Sequence, residues 1–198
     1  MWEQAGMIQS KIIGVTGITG SGTSTVAAIL AELGGYVISA DKLAHEVMQK
    51  GQAAYDKIVA RFGDTILNTG GEINRKVLGD LVFCEATAMA ELEAIIHPEV
   101  IAKTEELLKQ PYAFAVIDAP LLIESGMYKM CDTVWLVTAP DDIRIARITE
   151  RDGIDADIAL RRINSRKGDD FLRLYADAII ENNTTIKKLR HQIKRELT

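Results

Sequence analysis

Three groups of residues have the types and spacing of phosphate chemistry. The first is the run Gly17-Ile18-Thr19-Gly20-Ser21-Gly22-Thr23-Ser24-Thr25. A phosphate-binding loop is written G-x-x-x-x-G-K-[ST] and sits between a strand and a helix. Successive backbone N–H groups and the helix N-terminus then wrap a phosphate. Gly17, Gly22 and Ser24 stand at the required positions, but the lysine position holds Thr23. Most of such a cradle is backbone, which Thr23 preserves. What is lost is a point charge for the β- and γ-phosphates, and one preorganised stabiliser of that kind is worth on the order of 10²–10³ in rate. Ser24 retains a hydroxyl suited to Mg²⁺. The alternative is a glycine-rich turn without a ligand.

The second group is a pair of carboxylates, Asp41 and Asp118, each just after an apolar run that reads as a strand. In an open α/β sheet, ligands bind beyond the carboxyl ends of the strands. Phosphorylation of a hydroxyl needs one carboxylate to accept its proton and another to support Mg²⁺, directly or through water. Asp41 has a competing role as the N-cap of the helix after it. The third group is cationic: Arg144, Arg147 and Arg151 at i, i+3 and i+7, then Arg161, Arg162, Arg166 and Lys167. A solvated face paired with Asp141, Asp142, Asp152 and Asp155 is one reading. A lid carrying cations to a transferred phosphoryl group is the other, with Arg147 and Arg151 on the phosphates of ATP.

The elements that must position these groups follow from periodicity. Residues 11–16 read as a buried strand, and Val26, Ile29, Leu30 and Leu33 as a helix stopping at Gly34-Gly35. Strands follow at 36–38, 113–118, 132–138 and 178–180. This alternation describes an α/β protein with a parallel sheet. Between Asp41 and about Gln110, apolar residues recur at helical spacing over 42–50, 52–62, 75–83, 86–96 and 98–109. The last two are expected to be separated at His97-Pro98. So many helices exceed one crossover, so an inserted helical lobe is expected. Residues 141–152 and 155–166 read as helices, and 184–197 as a closing helix.

Composition sets the outer limits. The chain has 198 residues, 47% hydrophobic and 26% charged, with 23 Lys plus Arg against 28 Asp plus Glu, a net −5. Disordered, fibrous and collagen-like classes are excluded. A chain this long buries roughly 70% of its unfolded surface and needs no disulfide or structural metal. The acidic balance argues against a nucleic-acid or membrane-surface partner. Cys84 and Cys131 form no CxxC, and His45, His97 and His191 lack metal-ligand spacing. Residues 1–10, with Met7 as an alternative start, have no signal-peptide pattern, and no apolar stretch reaches a membrane span of about 20 residues. A cytoplasmic protein is expected.

The chain resembles the bacterial dephospho-coenzyme A kinase family from about Ile12 to Leu189. The resemblance rests on separated motifs: Ile13 to Gly22; Ile38-Ser39-Ala40-Asp41 through Val47; Ile95-Ile96-His97-Pro98; Val116-Ile117-Asp118-Ala119-Pro120 through Gly126; and Arg147 through Glu150-Arg151-Asp152-Gly153. It implies a three-layer α/β P-loop kinase fold with a five-stranded parallel sheet. The core would be about 8–41, 111–140 and 176–198, the acceptor-binding helical insertion about 42–110, and the lid about 141–175. It implies transfer of the ATP γ-phosphate to the ribose 3′-hydroxyl of dephospho-CoA with Mg²⁺, by a monomer or weak homo-oligomer. By resemblance, Asp41 is the base, with Asp118 and Arg147 also catalytic. Gly17, Thr19, Gly20, Ser21, Gly22, Thr23, Ser24 and Thr25 hold phosphate with Arg147 and Arg151. Asp41, His97, Leu121 and Glu124 lie by the acceptor, and Ser24 supports the metal with indirect help from Asp118. Two positions depart from the family: Thr23 replaces the lysine, and Asn164-Ser165-Arg166-Lys167-Gly168 follows Arg162-Ile163 where a Gln-x-Pro segment is usual. The lid gains cations where the loop lost one, which assigns Arg166 or Lys167 the missing charge. A catalytically inactive nucleotide- or CoA-binding relative, and a kinase for another hydroxyl, are the competing readings.

Overall fold

The computed structural model describes residues 11–83, 85–165 and 167–198. Residues 1–10, Cys84 and Arg166 lie outside the described residues. The chain divides into two compact units, one of residues 11–38 and 111–198, the other of residues 39–110.

The first unit is built on five strands, β1 (Ile12–Thr16), β2 (Tyr36–Ser39), β3 (Ala115–Asp118), β4 (Thr133–Thr138) and β5 (Ala178–Glu181). They run parallel in the order β2-β3-β1-β4-β5 within a three-layer α/β fold. Register is direct: Val15 lies opposite Asp118 on β3 and Trp135 on β4. The central strands are apolar on both faces because helices or loops cover both. On one face Ile13, Val15, Val116, Trp135, Val137 and Ile180 form a core with Ile29 and Leu30 of α1 (Thr23–Glu32) and Leu189 and Ile193 of α9 (Ile186–Leu197). On the other face Gly14 leaves room for Leu122 and Cys131. Burial, reinforced by Asp132, pushes the Cys131 thiol up to about 12. It therefore stays protonated at neutral pH and is no nucleophile.

Strand order reverses at β1, whose neighbours β3 and β4 are reached by crossovers in opposite directions. That switch point is where an open α/β sheet forms its ligand crevice, and the glycine-rich loop leaves β1 there. After β4 come α6 (Asp141–Asp152), α7 (Ala156–Asn164) and a short α8 (Asp169–Arg173) that periodicity had not indicated.

The second unit contains α2 (Ala40–Val47), α3 (Ala53–Phe62), α4 (Arg75–Phe83) and α5 (Ala86–Leu107). Leu43, Val47, Ile58, Leu78, Val82 and Val100 are buried in it. The expected break at His97-Pro98 does not occur, because α5 runs unbroken through Pro98. Proline inside a helix forfeits one backbone hydrogen bond and costs about 3 kcal/mol or more. Here Ala94 and Pro98 are both exposed, so water can serve the carbonyl left unpaired. The packing of α5 against α2, α3 and α4 offsets the rest. Ion pairs Lys57–Glu99 at 2.7 Å and Lys103–Glu46 at 3.2 Å tie α5 to α3 and α2.

A Cβ added at Gly14 would stand 2.6 Å from Leu122 Cδ2 and 2.7 Å from Cys131 Sγ. Gly14→Ala should therefore lower stability by about 1–3 kcal/mol through overpacking, read from urea unfolding.

Candidate active site

The glycine-rich loop is shaped from both ends. Buried β1 ends at Thr16, and α1 begins at Thr23 with Gly22 as its cap residue at φ 92°. Gly20 also adopts positive φ, 83°. A side chain is strained there, which explains both glycines. Space demands them as well: a Cβ on Gly22 would stand 2.1 Å from Asn182 Nδ2, and one on Gly17 would stand 2.5 Å from the Val137 carbonyl and 2.6 Å from Ser21 Oγ. Ser21 is fully buried, and its hydroxyl has no hydrogen-bond partner among the described residues.

Two side chains hold the loop from behind. Arg147 of α6 donates from Nη1 to the Gly20 carbonyl at 3.2 Å and the Ser21 carbonyl at 3.1 Å. Its Nη2 donates to the Asn182 carbonyl at 2.9 Å. Asn182, directly after β5, donates from Nδ2 to the Ser21 carbonyl at 2.8 Å. Engaging these carbonyls turns the peptide units so that acceptors face the protein. Within the loop the Ser21 N–H donates to the Ile18 carbonyl and the Thr25 N–H to the Gly22 carbonyl, both at 3.0 Å. Arg147 had been expected on phosphate; here its guanidinium lies on the loop backbone.

The other cations are placed differently from one another. Arg144 is buried, its Nε donating to the Ala139 carbonyl and its guanidinium paired with Asp169 of α8, with Asp141 at 3.7 Å. Arg151 and Arg162 both bind Asp152, at 2.7 Å and 2.6 Å. The Arg151 guanidinium beside Asp152 holds its carboxyl below the usual carboxylate range. The Lys167 ammonium lies 4.0 Å over the Phe171 ring. Much of the arginine-rich run is thus ion-paired, as the solvated-face reading holds. Arg147 instead binds backbone carbonyls, and Lys167 an aromatic ring. A cavity of about 380 Å³ adjoins the loop, lined by Ala139, Pro140, Arg144, Asp169 and Asn183 among others. Gly20 packs directly on Arg144, where a Cβ would meet the Arg144 backbone at 2.9 Å.

Asp118 ends β3 half-buried, one strand from the loop's origin, and Thr16 donates to the Pro120 carbonyl at 3.4 Å. Leu121 is half-buried and Glu124 exposed in the turn that follows, where the Ser125 hydroxyl donates to the Leu121 carbonyl at 2.7 Å. Thr23 is half-buried and Ser24 exposed on the first turn of α1. Among the described residues no group of three His, Cys, Asp or Glu could hold a metal ion. Ser24 and Asp118 supply hard oxygen donors, the kind that suits Mg²⁺ shared with substrate phosphates.

The helical unit holds Asp41 and His97. Ser39 is the N-cap of α2, its hydroxyl accepting from the Lys42 N–H at 3.5 Å. The capping role considered for Asp41 therefore falls to Ser39. Asp41 sits in the first helical turn, exposed, two residues beyond the carboxyl end of β2. His97 is half-buried within α5. Asp169 and Asn182 were missed as site residues. Asn182 had a readable signal, since it follows an apolar run at a strand's carboxyl end. Asp169 had none.

The chain matches the dephospho-CoA kinase family model over residues 11–188. It is 37% identical over 191 residues to the dephospho-CoA kinase of Carboxydothermus hydrogenoformans, covering 94% of this chain and 93% of that one. It is 44% identical over 168 residues to that of Moorella thermoacetica, covering 82% and 79%. Among solved structures, a Thermus thermophilus protein superposes with TM-score 0.79 at 31% identity, over 95% of this chain and 96% of that one. Dephospho-CoA kinase from Campylobacter jejuni superposes with TM-score 0.65 at 31% identity, over 94% of each. The fold alone is shared with shikimate kinase from Acinetobacter baumannii, TM-score 0.53 at 19% identity.

Gly22→Ala is expected to weaken nucleoside triphosphate binding at least tenfold, because the new Cβ carries positive-φ strain and displaces Asn182. Equilibrium dialysis with a non-hydrolysable analogue measures it.

Proposed function

This chain belongs to the dephospho-CoA kinase family, and from that premise we propose how its residues carry out the reaction. The γ-phosphoryl group of ATP passes to the ribose 3′-hydroxyl of dephospho-CoA, giving CoA and ADP, the phosphotransferase step of coenzyme A biosynthesis. The observation that carries the reading is the loop: Arg147 and Asn182 engage its carbonyls, and α1 begins at its end. The amides of Thr19, Gly20, Gly22, Thr23 and Ser24 surround the β- and γ-phosphates, those of Ser21 and Thr25 being engaged by the Ile18 and Gly22 carbonyls at 3.0 Å, and the positive end of α1 adds to the field. The adenosine part of ATP occupies the cavity beside Gly20, and Arg151 leaves Asp152 for phosphate as the 141–175 segment closes.

Asp41 accepts the proton of the 3′-hydroxyl as the new O–P bond forms and the bond to the ADP oxygen breaks. Its exposed place in the first turn of α2 leaves the carboxylate open to an incoming hydroxyl. His97, Leu121 and Glu124 contact the acceptor. Ser24 would hold Mg²⁺ with support from Asp118, and the ion would neutralise charge on the phosphates. The charge absent at Thr23 comes from Arg166 or Lys167. No helix among the described residues is long and apolar enough to cross a membrane.

The test is incubation with ATP, Mg²⁺ and dephospho-CoA, with mass spectrometry for the 3′-phosphorylated product. Product is expected, and Asp41→Asn should lower its rate by about 10²–10⁴. ATP and dephospho-CoA binding without product would return the inactive-binder reading; ATP binding alone would point to another acceptor. In the same assay Arg166→Ala with Lys167→Ala should slow turnover about 10²-fold, and Thr23→Lys should restore it. Unchanged turnover in the double variant would remove the compensating role.

A further inference from the structure

Among the ion pairs of residues 141–175, one lies out of water. Arg144, in the first turn of α6, has 6% of its side chain exposed, and Asp169, the first residue of α8, has 22%. Every other ion pair among the described residues has one partner at least 47% exposed. Taking two charges out of water is expensive, and an apolar pair of like volume is often as stable or more so. Asp169 Oδ1 adds to the cost, because it is buried with no hydrogen-bond partner among the described residues. Stability alone therefore does not account for this pair.

Its contacts point to another task. Arg144 Nε donates to the Ala139 carbonyl, in the link between β4 and α6. Pro140 stands at the cap position of α6 and offers no side-chain hydrogen bond. Arg144 thus fastens the start of α6 to the end of β4 with its own side chain. Its backbone meets the glycine-rich loop: a Cβ on Gly20 would stand 2.9 Å from the Arg144 carbonyl oxygen and 3.0 Å from its Cα. Three residues on, on the same face of α6, Arg147 donates to the Gly20 and Ser21 carbonyls. Gly20 takes both a packing surface and a hydrogen bond from α6, and Arg144 holds the start of that helix.

Arg144 is held in turn from α8. Its Nη2 donates to Asp169 Oδ2, whereas Asp141 stands at 3.7 Å and is 65% exposed. A helix of five residues does not hold its place alone, and α8 is anchored by packing. Leu172 is buried. The Phe171 and Tyr175 rings lie 5.4 Å apart, and Tyr175 meets the Tyr128 ring edge-on at 5.2 Å. Asp169 therefore brings to Arg144 a position that is set elsewhere in the unit. A guanidinium fork can bind a carbonyl and a carboxylate at once in fixed directions, which an apolar pair cannot.

Resting on the functional reading above, we propose that Arg144 and Asp169 are a positioning pair for the donor side of the reaction. Asp169 holds Arg144, Arg144 holds the start of α6, and α6 holds Gly20 and Ser21 in the shape that binds phosphate. The pair acts through the loop and not by touching the triphosphate. Affinity for a nucleoside triphosphate is thereby tied to the docking of α8.

Three variants test this: Arg144→Met, Asp169→Leu and the two combined. Each is compared with the unaltered chain in thermal unfolding, in Kd for a non-hydrolysable ATP analogue, and in amide hydrogen exchange of residues 17–25 without nucleotide. Either single change should lower Tm, because it leaves a buried charge unpaired. The combined change should bring Tm back. It should still weaken analogue binding about tenfold and speed exchange in residues 17–25, whereas a merely structural pair recovers all three together. Recovery of affinity along with Tm overturns the proposal. Weaker binding with unchanged exchange overturns it too, because the pair then acts by touching the nucleotide. Faster exchange with unchanged binding does the same. If the combined variant does not recover Tm, Arg144→Lys decides by the same affinity and exchange criteria. Its ammonium keeps the charge but cannot serve both the Ala139 carbonyl and Asp169. In all these outcomes the unaltered chain binds the analogue and the kinase reading stands. No binding by the unaltered chain overturns both.

Discussion

A backbone that binds anions must first dispose of its own carbonyls. In this chain that task falls to one guanidinium and one amide. Arg147 and Asn182 take up the carbonyls of Gly20 and Ser21 from α6 and from the end of β5. Without them, those oxygens would sit beside any bound phosphate and repel it. The requirement fixes much else: Gly22 must lack a side chain because Asn182 occupies the space, and Gly20 must lie against the Arg144 backbone. A surface arginine can be replaced by lysine at small cost. A planar fork donating to three carbonyls cannot, because an ammonium lacks the geometry.

This arrangement bears on the missing lysine. A P-loop lysine supplies charge, whereas loop shape comes from backbone and glycine. The shape is complete with Thr23 in place, and Thr23 itself is the first residue of α1. Shape and charge are therefore separable in this fold, and divergence at the lysine position does not require divergence of the loop.

The sheet, its parallel sense and the loop were legible because each left a local mark: short apolar runs, glycines at fixed offsets, a carboxylate after a strand. The edges of those elements moved by one to three residues, as fraying and hydrogen-bond criteria dictate. The continuous α5 was not legible, because Pro98 is a strong local signal and the packing that overrides it comes from three other helices. The engagement of Arg144 by Asp169 was equally invisible, since residues 25 apart in sequence carry no pattern that links them. Asp41 shows the reverse case. Its sequence context allowed capping or chemistry, and the neighbouring Ser39 hydroxyl decided the cap.

The spacing of partners along the chain has a consequence for assembly. β1 pairs with β3 across about a hundred residues, Ile12 facing Ala115, and reaches β4 later still, Ile13 facing Thr133. The helical unit of residues 39–110 lies between, contiguous and closed by nearby contacts. Local contacts form fast and distant ones slowly. During synthesis the helical unit can condense while β1 still waits for both neighbours. The last clasp is Asn182 on Ser21, made by residues 161 apart. The Ser21 carbonyl thus gains its Asn182 partner only when the final strand of the sheet has docked.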